Sequence, residues 1–392
     1  MGTYKDNKQS SLMEIFLVSL KLGCTSFGGP TAHIGYFHNE YVKKKKWLEE
    51  REFTELIALC QLLPGPASSQ AGFGIGLKRG GVAGGIASFA GFTLPSFALM
   101  AIFAFVLTGI DPAGNGWLHG LKIVAAAVVL QAVYSLGKNF ASTKVTGTIA
   151  TFAAAAMFLF PYSIARLAVM AAAGIAGYLF CNKQEGEPIT GTFTNVSKKL
   201  AVVCLAVFCL LFILLPVLRN FGMEFVLADS FYRSGALVFG GGHVVLPLLE
   251  RELIPTGFIS NGDFLAGYGL VQAMPGPLFT FSAYLGAAID GWTGAVIAII
   301  AIFLPGFLLL LAVLPFWGKI RSRPAIQSVV AGLNAGVVGL LAGAFYDPIF
   351  ISSITSRMDA ALFALFFGLL AFWKIPPWLL VVIGAGAGYT LL

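Results

Sequence analysis

"CQLLPGPASSQ" (60–70) is the stretch that decides the fold, because it breaks a chain otherwise made for lipid. The sequence is 57% hydrophobic and only 11% charged over 392 residues. Proline removes a backbone donor, clashes with the preceding turn and pushes the residue before it away from helical dihedrals. Pro64, Gly65 and Pro66 therefore end one helix and start another. The flanking runs 53–63 and 67–77 are each about 11 residues, or about 16 Å of helix, which is half of a bilayer core about 30 Å thick. Non-helical backbone at that depth is tolerated only where it is buried in protein or lines a watery cavity.

Around this break lie apolar runs at 83–107, 120–137, 148–160, 163–180, 199–218, 292–315, 328–345, 360–373 and 376–392. They predict an all-α polytopic membrane protein. The opening "MGTYKDNKQS" is polar, so neither a cleavable leader nor a myristoylation site is expected. The net charge of +7 sits in short loops between apolar segments, a topology pattern rather than a nucleic-acid surface. Cys24, Cys60, Cys181, Cys204 and Cys209 have no metal-ligand spacing and read as small packing residues.

The chain is written twice. "QLLPGP" (61–66) returns as "QAMPGP" (272–277), so Pro275, Gly276 and Pro277 repeat the break at a shift of about 211. "SFGGP" (26–30) matches "VFGGG" (238–242), "TLPSF" (93–97) matches "FLPGF" (303–307), and Glu40 matches Glu252. Lys21 falls on Arg233, each six residues before its FGG. A cation inside an apolar helix costs roughly 2.5–3.5 kcal/mol, and its recurrence argues for use. The expected division is a first repeat over 1–182, a linker over 183–222 holding an unmatched helix at 199–218, and a second repeat over 223–392.

The loops "KKKKWLEER" (43–51) and "LKRGG" (77–81) are basic, whereas their counterparts "IPTGFISNGD" (254–263) and "AIDGW" (288–292) hold no Lys or Arg. The bias flips between the halves, the expectation for an inverted repeat with a cytoplasmic N-terminus and an extracytoplasmic C-terminus. The PGP element reads as a re-entrant hairpin, with a single kinked crossing as the alternative. Segment 11–42, broken at "FGGP", reads either as a second hairpin or as a tilted helix followed by an interfacial one.

A half-helix that starts at the midplane presents free N–H groups and the positive end of its dipole, an anion site. Proline suits its first turn. The expected substrate-binding set is Lys21, Gly28, Gly29, Gln61, Ser68, Ser69, Arg233, Gly240, Gly241, Gln272 and Thr280, with Ser282 as a further donor. The ligand so described is a compact polyanion with oxygens on several sides. Glu40, Glu252, His33 and His243 are candidates for gating or coupling. The alternatives are packing for the glycines, helix capping for Gln61 and Gln272, and snorkelling for Lys21. His33, His38 and Glu40 lack a metal-binding spacing, so no metal or cofactor is expected. No phosphate-binding loop argues for ATP-driven pumping.

In combination, "FGGP…H" with "FGGGH", the paired "PGP" turns, "GYFHNEYV" (35–42) and "FLPGF" resemble the chromate ion transporter (CHR) family in its long two-domain form, over about residues 11–392. The resemblance implies a multi-pass protein of a bacterial or archaeal cytoplasmic (inner) membrane that exports chromate and confers chromate resistance, with sulfate as the structural analogue. His33 and His243 occupy non-equivalent positions, which weakens a symmetric role for them. The alternatives are sulfate or another oxyanion as substrate and an anion channel of the same architecture, and a homodimer stays open. An oxyanion reductase would need haem, flavin or thiol-pair chemistry, for which the histidines and cysteines are too few and badly spaced; the reading adopted is a non-enzymatic secondary transporter.

Overall fold

The computed structural model describes residues 11–107, 116–160, 163–181, 196–239, 242–321 and 323–391. Among them there is helix and no strand. Each of the nine apolar runs forms a helix, and five helical stretches are long and apolar enough to cross a membrane. The protein is thus an all-α polytopic membrane protein.

The first half begins with α1 (Leu12–Thr25) and α2 (Gly29–Phe37), the latter prolonged by a wider turn over His38–Lys44. Gly28 has φ +98° and Gly29 φ +77°, left-handed values that a side chain resists and that reverse the chain here. The return is antiparallel: Ser19 meets Tyr41 through their hydroxyls at 2.9 Å, and Lys21 meets Glu40 at 3.2 Å. Segment 11–42 is therefore a hairpin.

Next comes α3 (Glu50–Leu62), the Pro64–Pro66 break, and α4 (Ala67–Leu107). Glu52 pairs with Lys78, and Leu56 packs where a side chain on Gly74 would lie. These pairs are centred on Gly65, so α3 and 67–79 also form a hairpin. A single kinked crossing would have separated them. The chain turns again within α4 at Gly80 and Gly81, the latter at φ +62°. Segments 67–79 and 82–107 then lie so close that Gly76 and Gly84 touch backbone to backbone, and Ser88 Oγ donates to the Gly72 carbonyl at 2.8 Å. Such contact substitutes for a hydrophobic driving force that lipid does not provide. The half closes with α5 (Gly116–Phe140), α6 (Lys144–Leu159) and α7 (Ser163–Phe180).

After α8 (Lys198–Leu218), the order recurs. Helices α9 (Met223–Leu237) and α10 (Val245–Leu253) match the first hairpin, and α11 (Asn261–Val271) with the start of α12 (Phe281–Val313) matches the second. Within α12 the turn falls at Asp290 and Gly291. The short α13 (Trp317–Arg321) leads into α14 (Pro324–Ala344), the counterpart of α5. A single turn, α15 (Ile351–Ser353), precedes α16 (Arg357–Ala371) and α17 (Pro377–Leu391), the counterparts of α6 and α7.

The two halves interleave. Helix α5 packs on α16 and α17 of the other half, and α14 packs on α6 and α7. Glycines make both crossings: Gly120 lies against Gly384 and Gly388, and Gly332 against Ala173 and Gly177. The equivalent segments of α4 and α12 run antiparallel. Phe105 meets Trp292 at 5.1 Å at one end, while Phe89 meets Phe303 and Phe307 at 4.9 Å further along.

Candidate functional site

The two PGP breaks are held by the opposite half. The Gly65 amide donates to the Val238 carbonyl at 2.7 Å, and the Gly276 amide donates to the Ser26 carbonyl at 2.8 Å. Each PGP glycine is thus tied to the residue just before the other half's FGG sequence. Gln70 adds to the first tie, its Nε2 donating to the carbonyls of Pro64 and, across the interface, Gly306 at 2.9 Å. Gly65 and Gly276 sit at φ +120° and +89°, so both positions require glycine.

Between the breaks is a cavity of about 550 Å³. Its wall includes Gly28, Gly29, Gln61 and Gly65 from the first half, and Gly242, His243, Gln272 and Gly276 from the second. Gln272 is 8% exposed, and its Nε2 donor makes no well-formed hydrogen bond, the Tyr268 hydroxyl being the group it approaches. His243 Nδ1 lies 2.7 Å from the Tyr268 hydroxyl, which fixes the imidazole at the wall. The helix starting at Ala67 also borders the space. No Lys, Arg, Asp or Glu is among the described lining residues. What the wall offers is neutral: side-chain amides, one imidazole and backbone at two helix breaks.

Several expected site residues lie elsewhere. Lys21 and Arg233 are not among the cavity lining. The Lys21 ammonium sits on Glu40, which also takes Lys44 at 3.3 Å. Burial opposes ionisation of Glu40, but these two ammonium groups outweigh it and hold the carboxyl below its ordinary range. Arg233 faces Asp229 at 3.2 Å, and Arg219 bridges Asp229 at 3.0 Å and Glu252 at 3.7 Å. The repeat-matched cations are therefore matched in sequence but ion-paired off the cavity lining. The sequence reading missed Asp229, fully buried one helical turn before Arg233.

The expected hydroxyl donors are also absent from the wall. Ser68 lies 3.3 Å from His33 Nδ1, and both are buried. Ser69 is buried without a hydrogen-bond partner at its Oγ. Thr280 and Ser282 turn their hydroxyls onto the carbonyls of Pro277 and Phe279 in their own helical turn. His38, weighed only as a metal ligand, contacts Glu50 at 2.7 Å. Gly240 and Gly241 lie outside the described residues. The wall also contains Gln131, Ser135 and Asn139 of α5, which sequence reasoning passed over. Their spacing of four was readable as one helix face.

The sequence profile of the family described as Chromate transporter matches residues 13–178 and again 225–389. The chain belongs to the chromate transporter family. Its two matched segments are the long two-domain form. Among relatives of this chromate transporter family member, a chromate transport protein of Pseudomonas aeruginosa is 26% identical over 343 residues, covering 86% of this chain and 81% of the relative. A probable chromate transport protein of Synechococcus elongatus is 27% identical over 391 residues, covering 96% and 95%. An uncharacterised transporter of Methanocaldococcus jannaschii is 24% identical over 396 residues, covering 99% and 96%. No solved structure is a significant match. The family is one of transporters, in line with a multi-pass chain that holds a polar-lined cavity between its two helix breaks.

Proposed function

We propose that this protein is a secondary transporter that exports chromate from the cytoplasm by alternating access, with the anion held in the cavity between the two PGP breaks. The observation that carries this reading is the buried Nε2 donor of Gln272, which makes no well-formed hydrogen bond, in a cavity bordered by both broken hairpins. A donor left without a partner costs about 1–3 kcal/mol, and an oxyanion oxygen relieves that cost. The names of the relatives supply chromate as the cargo. Sulfate, with the same tetrahedral shape and charge, competes for the same wall.

The N-terminus is cytoplasmic in this reading, because the basic loops 43–51 and 77–81 lie on its side, and the C-terminus is extracytoplasmic. The two halves are inverted repeats, which the antiparallel run of the equivalent α4 and α12 segments supports. In place of direct contact with the anion, Lys21 with Glu40 and Arg233 with Asp229 and Glu252 act as paired clasps near the two hairpins, opening in opposite phases. Moving one charge through 100 mV is worth about 2.3 kcal/mol. Export of a dianion from a negative interior therefore gains about 4.6 kcal/mol per 100 mV, on the order of a thousandfold gradient. No stoichiometric proton is needed.

The test is uptake of labelled chromate into everted membrane vesicles under an imposed potential, inside positive, with and without excess sulfate. Saturable, sulfate-inhibited uptake that follows the potential and is stimulated by counter-flow is expected. Uptake without saturation or counter-flow would point to a channel, and uptake indifferent to the potential would rule out potential-driven export.

A further inference from the structure

The cavity is not symmetric, although the fold around it is. On one side α5 contributes Gln131, Ser135 and Asn139, spaced four residues apart on one helix face. The equivalent positions in the other half, at a shift of about 212, are Gly343 of α14, Asp347 in the turn after it and Ile351 at the start of α15. No residue of α14 is among the described lining. Accessibility also rises along the α5 strip: Gln131 is half-buried, whereas Ser135 and Asn139 are exposed. The Gln131 Oε1 is buried without a hydrogen-bond partner. The cavity therefore widens toward the C-terminal end of α5. That end carries Lys138, with Lys144 opening the next helix, and clustered basic residues mark the cytoplasmic side.

We propose that Gln131, Ser135 and Asn139 form the cytoplasmic mouth of the cavity, the wall along which the oxyanion loads, and that the structure is the inward-open state. The substrate named here rests on the chromate-export reading above; the sidedness does not. The strip holds no cation that would trap a dianion on its way in. Its amides and hydroxyl replace hydration step by step, leading the anion to Gln272 and the two breaks. In the opposite state this face closes and the α14 face opens, as exchange of equivalent elements requires.

Two measurements decide it. Ser135→Cys and Asn139→Cys are placed in a chain whose five cysteines have been replaced and which still purifies from the membrane as a folded, monodisperse species. A membrane-impermeant maleimide is then applied to everted vesicles and, separately, to intact spheroplasts. Labelling from the cytoplasmic face, at least tenfold faster than from the outside, is expected; labelling only from the outside would overturn the proposal. In the otherwise unsubstituted chain, Ser135→Asp and Asn139→Asp should raise the KM for chromate about tenfold or more, and Asn139→Lys should lower it. A merely structural role would change the amount of protein or the maximal rate without this reversal of sign, and an unchanged KM in all three would overturn the mouth. Vesicles of the unsubstituted protein that move no chromate would sink the export reading instead, while the labelling, which needs no substrate, would still decide which side the strip faces.

Discussion

Gln272 is the side chain on which the site turns, since its Nε2 is buried at the cavity wall and makes no well-formed hydrogen bond, the Tyr268 hydroxyl being the protein group it approaches. A hydrogen bond to a charged group is worth about 1.5–3 kcal/mol, and about 1.4 kcal/mol is tenfold in affinity. Gln272→Ala should therefore raise the KM for chromate by roughly 10- to 100-fold, read from the concentration dependence of vesicle uptake. Gln272→Glu, which turns a donor into a repelling carboxylate, should be worse than the alanine. A KM within about twofold of the unsubstituted protein for both would remove Gln272 from the site.

A second side chain responds to pH. Glu250 lies one turn before the loop that begins at Ile254, outside the spanning helices, and is 7% exposed with its Oε2 unpartnered. Burial, helped by the nearby Asp347 carboxylate, pushes its carboxyl up to about 8 from an ordinary 4.5. In that window the folded protein keeps a proton that the unfolded chain has lost. The contribution of Glu250 to stability is consequently full below about 4.5 and is lost as pH rises to about 8. The melting temperature of the detergent-purified protein should decline between pH 5.5 and 8, and Glu250→Gln should flatten that decline. An equal slope in the variant would show that another group titrates.

At the scale of elements, the two PGP breaks carry most of the architecture. Gly65 has φ +120°, and a Cβ there would come within 3.0 Å of the Gly306 Cα in the opposite half. Gly65→Ala thus combines backbone strain, of order 1–3 kcal/mol, with a collision across the interface. Loss of folded protein and a lowered melting temperature are expected. Gly81→Ala, at φ +62° but with open space around it, should strain the backbone alone and cost less. Equal effects would mean that packing across the interface contributes little.

These breaks, the turn at Gly28 and Gly29 and the nine apolar runs were legible because proline, glycine and hydrophobic length act locally. The duplication was legible because it is written in the letters themselves. The direction of Lys21 and Arg233 was not. Repeat matching reports that two residues are equivalent and is silent on where they point. Their placement depends on Glu40 and on Asp229, which come together with them only in three dimensions. The hydroxyls of Thr280 and Ser282 were misjudged for a related reason. In the first turn of a helix a hydroxyl can satisfy itself on a local carbonyl, and both do so. The α5 strip was hidden by its surroundings, because Gln131 and Ser135 lie inside a run counted only for its length.

For the whole molecule, interleaving makes the halves depend on each other. Each PGP amide is bonded to a carbonyl of the other half. The glycine faces of α5 and α14 are covered by α16 and α17 in one case and by α6 and α7 in the other. A half expressed alone would leave those faces against lipid, where helices lack a hydrophobic reason to associate and depend on close packing. Its breaks would also leave backbone donors unsatisfied at membrane depth. Residues 1–190 alone, and residues 191–392 alone, should therefore be degraded. Co-expressed, they should co-purify and restore potential-driven chromate uptake, since no described contact in the core requires the covalent link. Gly120→Leu in the first fragment should abolish co-purification by wedging α5 away from Gly384, and Gly332→Leu in the second should do the same at Ala173 and Gly177. The discriminating result is the stability of a single fragment. If residues 1–190 persist in the membrane as a monodisperse species, the faces that the other half covers in the full chain are being covered by a second copy of the same fragment. The two-fold exchange of elements would then be a property of each half, inherited by the long chain rather than created by it.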